Sequence, residues 1–319
     1  MAGSFLVKAV LCHGCSNSVC AVRNAGITML KIPQPEWPMK KILIAALLAL
    51  GSHAAHADDD WNQPREPFRI YGNSYYVGVA GLSSVLVTSP QGHILIDGAL
   101  PDSPKLIAAS IRKLGFRLRD VKLILSSHDH VDHAGGIAQL QRMTGATVVA
   151  SASTAASLQR GRMDKDDPQF IGNTPYAPVK RVRTVADGEV VRLGPLALTA
   201  MSTPGHTAGG TSWRWQSCEK DNCRNLVYAD SIYPVRGQGY RFSDHPEVVA
   251  QFEHSYAALN AAPCDILVTA HPSFSEQWPQ LSSGQPVAIA AAGQPSACQK
   301  LVTTMQPELK QRLAEEAAK

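Results

Sequence analysis

A chain of 319 residues has ample material for one large domain or two fused halves. Its formal charge of +4 is concentrated at the start: five of the 30 Lys and Arg and one of the 26 Asp and Glu precede residue 58, leaving 25 of each. A remainder so balanced offers no electrostatic footprint for nucleic acid or a membrane surface.

Residues 1–38 read as an upstream extension of the reading frame, because Met39 opens a secretory signal pattern of its own. Met39-Lys40-Lys41 is a basic start, Ile42 to Leu50 an apolar run, and Ala55-His56-Ala57 a small-x-small cleavage site before Asp58-Asp59-Asp60. The apolar run is short for a bilayer span. No cysteine follows the cleavage site to carry a lipid. The expectation is a soluble, exported, periplasmic protein, cut near Ala57, with a single domain over 58–319. Cys12, Cys15 and Cys20 lie in the extension without a histidine at zinc-finger spacing.

Strands dominate the start of this domain: Phe68 to Tyr71, Tyr75 to Val79, Ser84 to Thr88 and Gly92 to Asp97, with turns at Gly72-Asn73 and Pro90-Gln91-Gly92. Helices and strands then alternate: Pro104 to Leu114 helix, Val121 to Leu125 strand, Ile137 to Met143 helix, Thr147 to Ala150 strand and Ser151 to Leu158 helix. Gly161 to Pro168 is a charged loop, either solvated or a gate. A second half repeats the style, with strands at Glu189 to Leu193, Leu196 to Met201, Gly210 to Arg214, Leu226 to Ala229 and Ile266 to Thr269. Helices are expected at His245 to Ala257 and Ala297 to Ala318, the last interrupted at Pro307. Two mixed halves that each begin with strands predict an α+β chain, two sheets packed face to face with helices on both outer faces.

The densest chemical signal is Ser127-His128-Asp129-His130-Val131-Asp132-His133, directly after an apolar strand and before Gly135-Gly136. Three imidazoles and two carboxylates on a strand-to-helix loop at the carboxyl end of a strand constitute a metal-site pattern. His128 and His130, two apart in an extended segment, can point the same way, while Asp132 and His133 fall where the chain turns. Ser202-Thr203-Pro204-Gly205-His206-Thr207 holds another histidine on a Pro-Gly turn, and Asp265 to Ala270 delivers His271 at a strand end. His93, His245 and His254 lack that context and read as structural or surface residues.

Cys218, Cys223, Cys264 and Cys298 form an even set in a compartment that permits disulfides, with three pairings open in principle. Cys218 with Cys223 would close a tight polar loop, and Cys264 with Cys298 would tie the last strand to the C-terminal helix. These two pairs are expected.

His128-x-His130-x-Asp132-His133, followed by Gly205-His206 and His271, resembles the metallo-β-lactamase superfamily. Tyr71-Gly72-Asn73, Gly92 to Gly98, Ser202 to Thr207, Tyr228-Ala229-Asp230-Ser231 and Cys264-Asp265-Ile266 are similar to pieces of its subclass B3, over nearly the whole of 58–319. The resemblance implies an αββα sandwich with two zincs per chain: His128, His130 and His206 on the first, Asp132, His133 and His271 on the second. It further implies hydrolysis of a β-lactam amide by a water held as hydroxide between the zincs, with Asp132 orienting that nucleophile. The chain would act as a monomer on a small-molecule substrate and confer β-lactam resistance. Asp97 would orient a ligand imidazole or its loop, and Ser231 would help hold the substrate carboxylate. Tyr233 departs from the pattern, since a small hydroxyl residue is usual there; its phenol would narrow the groove or bind the carboxylate. Asp129 has no ligand role in the pattern and reads as a loop-capping carboxylate.

Other chemistries use the same ligand motif. A thioester hydrolase of the glyoxalase II kind, or a lactonase, stays open through Asp230, since an aspartate at a similar strand end bridges the metals in those relatives. A metal-dependent nuclease is disfavoured by the balanced charge. A zinc-storing protein has no need of Asp132 beside an exchangeable water.

Overall fold

The computed structural model describes residues 61–170 and 174–318. The expected extension over 1–38, the signal peptide over 39–57 and Cys12, Cys15 and Cys20 lie outside the described residues.

A first sheet of seven strands follows chain order: β1 (Phe68–Tyr71), β2 (Ser74–Tyr76), β3 (Val85–Ser89), β4 (Gly92–Ile96), β5 (Val121–Leu125), β6 (Thr147–Ala150) and β7 (Val182–Thr184). Tight turns make β1 to β4 antiparallel. The crossovers after β4, β5 and β6 make the remainder parallel. They carry helices α1 (Pro104–Lys113), α2 (Val131–Ala134), α3 (Ile137–Thr144) and α4 (Ala152–Arg160).

The second sheet has five strands: β8 (Val190–Leu193), β9 (Leu196–Ser202), β10 (Thr211–Glu219), β11 (Asn222–Ala229) and β12 (Ile266–Thr269), in the order β12-β11-β10-β9-β8. It is antiparallel except for β11 with β12, which are joined by α5 (Pro246–Ala261). The chain closes with α6 (Trp278–Ser283) and α7 (Ala297–Ala317).

The period of two along each strand decides the layers. Ile94, Ile96 and Leu125 of the first sheet meet Leu198, Trp213, Tyr228 and Val268 of the second in a central core. Leu95, Ile124 and Val148, one residue out of phase, pack on Ile107 and Ile111 of α1 and Ile137 and Leu140 of α3. On the far side Val227, Ala229 and Leu267 meet Phe252 and Tyr256 of α5 and Leu301, Val302 and Met305 of α7. Each such aliphatic burial is worth about 1.5–3 kcal/mol, so three apolar layers hold the strand ends, where the loops emerge. The expected sandwich of two mixed sheets between helical layers is present.

Local expectations needed correction at several points. The hairpin strands β10 and β11 run well beyond the expected Gly210 to Arg214 and Leu226 to Ala229, because their polar ends complete each other's ladder to Glu219↔Asn222. The short elements β7, α2 and α6 have too few residues to show a period. Pro307 does not interrupt the last helix, which continues from Ala297 to Ala317 around it. A proline there costs about 3 kcal/mol or more, but the second half is anchored on both sides of the chain's last turns. Leu309 is fully buried, and the Glu316 carboxylate accepts from Phe242 N at 3.2 Å and Ser243 N at 2.8 Å beside Arg236 at 3.3 Å.

Disulfides join Cys218 to Cys223, directly opposed in the β10–β11 hairpin, and Cys264 to Cys298, between the entry to β12 and α7. The second closes a separation of 34 residues, for which chain entropy gives about 4 kcal/mol, against about 2 kcal/mol for the short loop. The double variant Cys264→Ala/Cys298→Ala is therefore expected to lose about 2–4 kcal/mol in urea unfolding. Cys218→Ala/Cys223→Ala is expected to lose less, because the strand ladder already fixes that hairpin. Equal losses would show that loop length does not govern the two bridges. Among the described residues, no helix is long and apolar enough to cross a membrane.

Candidate metal centre

The site is assembled where the two sheets share one edge, and Asp97 is its first fastening. It follows β4 with φ of 58°, a left-handed conformation that aspartate tolerates better than most residues. Its fully buried carboxylate accepts from Ser127 N at 2.7 Å, Ser127 Oγ at 2.6 Å and Tyr228 Oη at 2.7 Å. One side chain thus joins β4, the loop after β5, and β11 of the opposite sheet. Burial pushes the Asp97 carboxyl up from its ordinary value, against the pull of His133 and these donors. Its Oδ2 lies 3.9 Å from His133 Nδ1.

At His130 the backbone is extended, and there the chain turns into α2. The rings stay together across that turn, that of His128 lying 4.8 Å from His130 and 4.4 Å from His133. Gly205 shapes the turn that presents His206: its φ is +128°, and a Cβ there would fall 2.7 Å from the Phe252 ring. His271 leaves β12 with its ring 4.9 Å from that of Trp61.

Two groups of donors result, His128 with His130 and His206, and Asp132 with His133 and His271, each able to hold a metal ion. In the second group His133 Nε2 lies 3.2 Å from His271 Nε2, and both lie 3.1–3.2 Å from Asp132 Oδ2. Tetrahedral ligands of one zinc at about 2.0–2.1 Å stand about 3.3 Å apart, so the triangle has the right size. In the first group the ring centroids are 4.8, 5.2 and 4.9 Å apart. His128 is fully buried with Nδ1 at 2.7 Å from Asp230 Oδ1, while its Nε2 has no hydrogen-bond partner. An orphaned buried nitrogen beside two more imidazoles fits a cation. The residues present suit zinc.

Electrostatics divide the imidazoles, for burial lowers His133 too but the Asp132 carboxylate outweighs it and raises that group. Burial, reinforced by neighbouring imidazoles, holds His128 well below its ordinary value and takes His206 down to about 3. Both are neutral at pH 7, as ligands must be. His206 Nδ1 donates to the Tyr233 carbonyl at 2.9 Å, which leaves Nε2 as the lone-pair nitrogen. Burial also lowers His130, but the Asp167 carboxylate at 3.1 Å outweighs it and raises the group to about 9. Burial would raise Asp132, yet His133 and His271 hold it well below the carboxylate range. Metal uptake at His130 would displace a proton, and so would be favoured as pH rises.

A groove of about 460 Å³ opens over both groups, walled by Trp61, Gln169, Ser231, Tyr233, Phe274 and Trp278. Ser231 and Tyr233 thus sit at the groove, and the Tyr233 ring packs 5.7 Å from that of Phe274. Asp129 and Asp230 belong to neither donor group. Asp129 is 5% exposed, and burial pushes its carboxyl up. His93 is buried against Phe116, and His245 pairs with Glu247 at 3.1 Å. Sequence reasoning missed Asp167, Gln169, Phe274 and Trp61. Asp167 is hidden in a run of charges that reads as solvated, and the other three carry no local signal.

A family model described as the metallo-beta-lactamase superfamily matches residues 77–218. The crystal structure of MEM-A1, a subclass B3 metallo-beta-lactamase from a soil metagenome library, is 48% identical, covering 81% of this chain and 99% of that one with a TM-score of 0.76. The metallo-beta-lactamase SMB-1, bound to 2-mercaptoethanesulfonate, is 47% identical over the same shares, also with a TM-score of 0.76. A hydroxyacylglutathione hydrolase of Rhodopseudomonas palustris strain BisB5 is 32% identical over 150 residues, 47% of this chain and 48% of the relative. The chain spans about half the length of the curated relatives it matches. With near-complete coverage of the structural relatives and both donor groups in place, the chain belongs to the metallo-β-lactamase superfamily, in its subclass B3.

Proposed function

We propose that the protein hydrolyses the amide bond of β-lactams with two zincs per chain and thereby confers resistance to them. The observation that carries this reading is the convergence of the two donor groups on one groove in a chain 43–48% identical to B3 lactamases. His128, His130 and His206 would hold one zinc, and Asp132, His133 and His271 the other. Bound zinc supplies Lewis acidity for a carbonyl oxygen and brings the ionisation of a water close to neutral pH.

The side chains supply orientation and shape. Asp132 is 18% exposed at the groove floor, where its carboxylate can accept a hydrogen bond from the attacking water and align it on the ring carbonyl. Asp97 holds the loop of ligands through Ser127. Ser231 and Tyr233 stand where a substrate carboxylate is retained, with Tyr233 narrowing that end. Trp61, Phe274 and Trp278 offer apolar surface to ring substituents and exclude water. No side chain becomes acylated. All six donors come from one chain, in keeping with a monomer acting on a small molecule. The basic, apolar and small-x-small segments over 39–57 support export to the periplasm.

The competing reading is a thioesterase of the glyoxalase II kind or a lactonase. It requires Asp230 to bridge the metals. Asp230 instead lies behind His128 at its Nδ1, 2.7 Å away, and is not part of either donor group. The zinc-loaded protein is expected to turn over nitrocefin and to leave S-lactoylglutathione and acyl-homoserine lactones nearly untouched. Turnover of the thioester or the lactone without β-lactam hydrolysis would reverse the assignment.

A further inference from the structure

Asp167 is a buried carboxylate at the end of a charged loop. It is 7% exposed, whereas the side chains of its neighbours Lys165 and Asp166 are 82% and 81% exposed. A carboxylate taken out of water needs a partner. Its Oδ2 lies 3.1 Å from His130 Nε2, and its Oδ1 accepts from Gln169 N at 2.8 Å. The next carbonyl, of Pro168, accepts from Gly237 N at 2.8 Å and fastens the loop to the segment that carries Tyr233 and Val235.

A carboxylate at one imidazole nitrogen fixes the ring's orientation and leaves the other nitrogen for a metal. We infer that Asp167 is a positioning residue, which holds His130 with Nε2 outward so that Nδ1 faces His128 and His206, and which ties that ligand to the Gln169 wall of the groove. The inference rests on reading this donor group as a metal site. It assigns to one carboxylate both the aim of a ligand and the placement of a groove wall. Without Asp167, the His130 ring would rotate between two ways of presenting a nitrogen, and Gln169 would lose its backbone anchor.

The test is metal binding, without substrate. Metal-free protein is titrated with Zn²⁺ against a chromophoric chelator, and with Co²⁺ while its visible absorption is followed. Asp167→Ala is expected to weaken one of the two metal equivalents by about 10–100-fold and to change the Co²⁺ bands of that site only. Asp167→Asn, which keeps an acceptor for the Nε2 proton, should recover most of the affinity. Asp166→Ala removes an exposed pair with Lys165 from the same loop and should change neither readout. Unchanged affinity and bands in folded Asp167→Ala would overturn the inference, as would an equal loss in Asp166→Ala. The wild-type protein provides a measurement independent of any variant's folding. Loaded with NMR-active cadmium and nitrogen-labelled histidine, it should show the metal coupled to Nδ1 of His130; coupling to Nε2 refutes the assignment. Because no substrate enters, a failure of β-lactam hydrolysis leaves these outcomes readable.

Discussion

Asp132→Asn is expected to lower kcat on the order of 10²-fold or more. The amide keeps the size and rotamers of the carboxylate, so the packing of α2 and the loop should survive. What it loses is charge. Asp132 Oδ2 stands 3.1 Å and 3.2 Å from two imidazole nitrogens, and their influence keeps the carboxyl ionised throughout the working range. A neutral amide weakens the hold on a cation there and accepts a poorer hydrogen bond from the attacking water, so binding and alignment fail together. The measurement is kcat for nitrocefin at saturating Zn²⁺, with metal content determined on the same sample. Near-normal turnover at full zinc occupancy would mean that Asp132 does not orient the nucleophile.

Prolonged treatment with a strong chelator should abolish hydrolysis, and added Zn²⁺ should restore it. The donors are imidazoles and one carboxylate, and the proposed nucleophile is a water that only a bound metal would activate. The fold should persist, because the three apolar layers are built without the donor groups. Thermal stability should fall all the same: a ligand at 1,000 times its Kd stabilises by about 4.1 kcal/mol, and its removal leaves His128 Nε2 buried without a partner. The two effects separate in one experiment, with circular dichroism retained, Tm lowered and activity absent. Clavulanate, which works by trapping a serine acyl-enzyme, should leave turnover unchanged. Activity after verified removal of metal would refute the dinuclear mechanism.

The layers of this fold are legible in the sequence because burial there follows the strand period. Ile94 and Ile96 against Leu95, or Leu125 against Ile124, alternate between two cores, and an alternation of that kind is a local property. Elements with no period, such as α2 and β7, were not legible. Pro307 shows a local rule overridden, since its cost is met by contacts from residues far away in sequence, Phe242 and Ser243 among them.

The donor set divides in the same way. Four of its members are compressed into His128 to His133 and the other two stand beside turns at strand ends, so residue type and spacing marked the segments, while the family resemblance chose Asp132 over Asp129 and completed the set of six. How they group in space is tertiary, for it depends on Asp97 joining β4, the ligand loop and β11, and on Gly205 and the end of β12 bringing His206 and His271 to the same edge. The sequence by itself determined which atoms are available for a cation and which faces of the strands are apolar, because both are properties of neighbours along the chain. Only the tertiary structure decided that Asp230 stands behind His128 and that Asp167 reaches His130. A carboxylate looks the same in a sequence whether it is solvated, bridging or buried against an imidazole; its charge acquires a role only from what the folded chain removes from around it and what it leaves within about 3 Å.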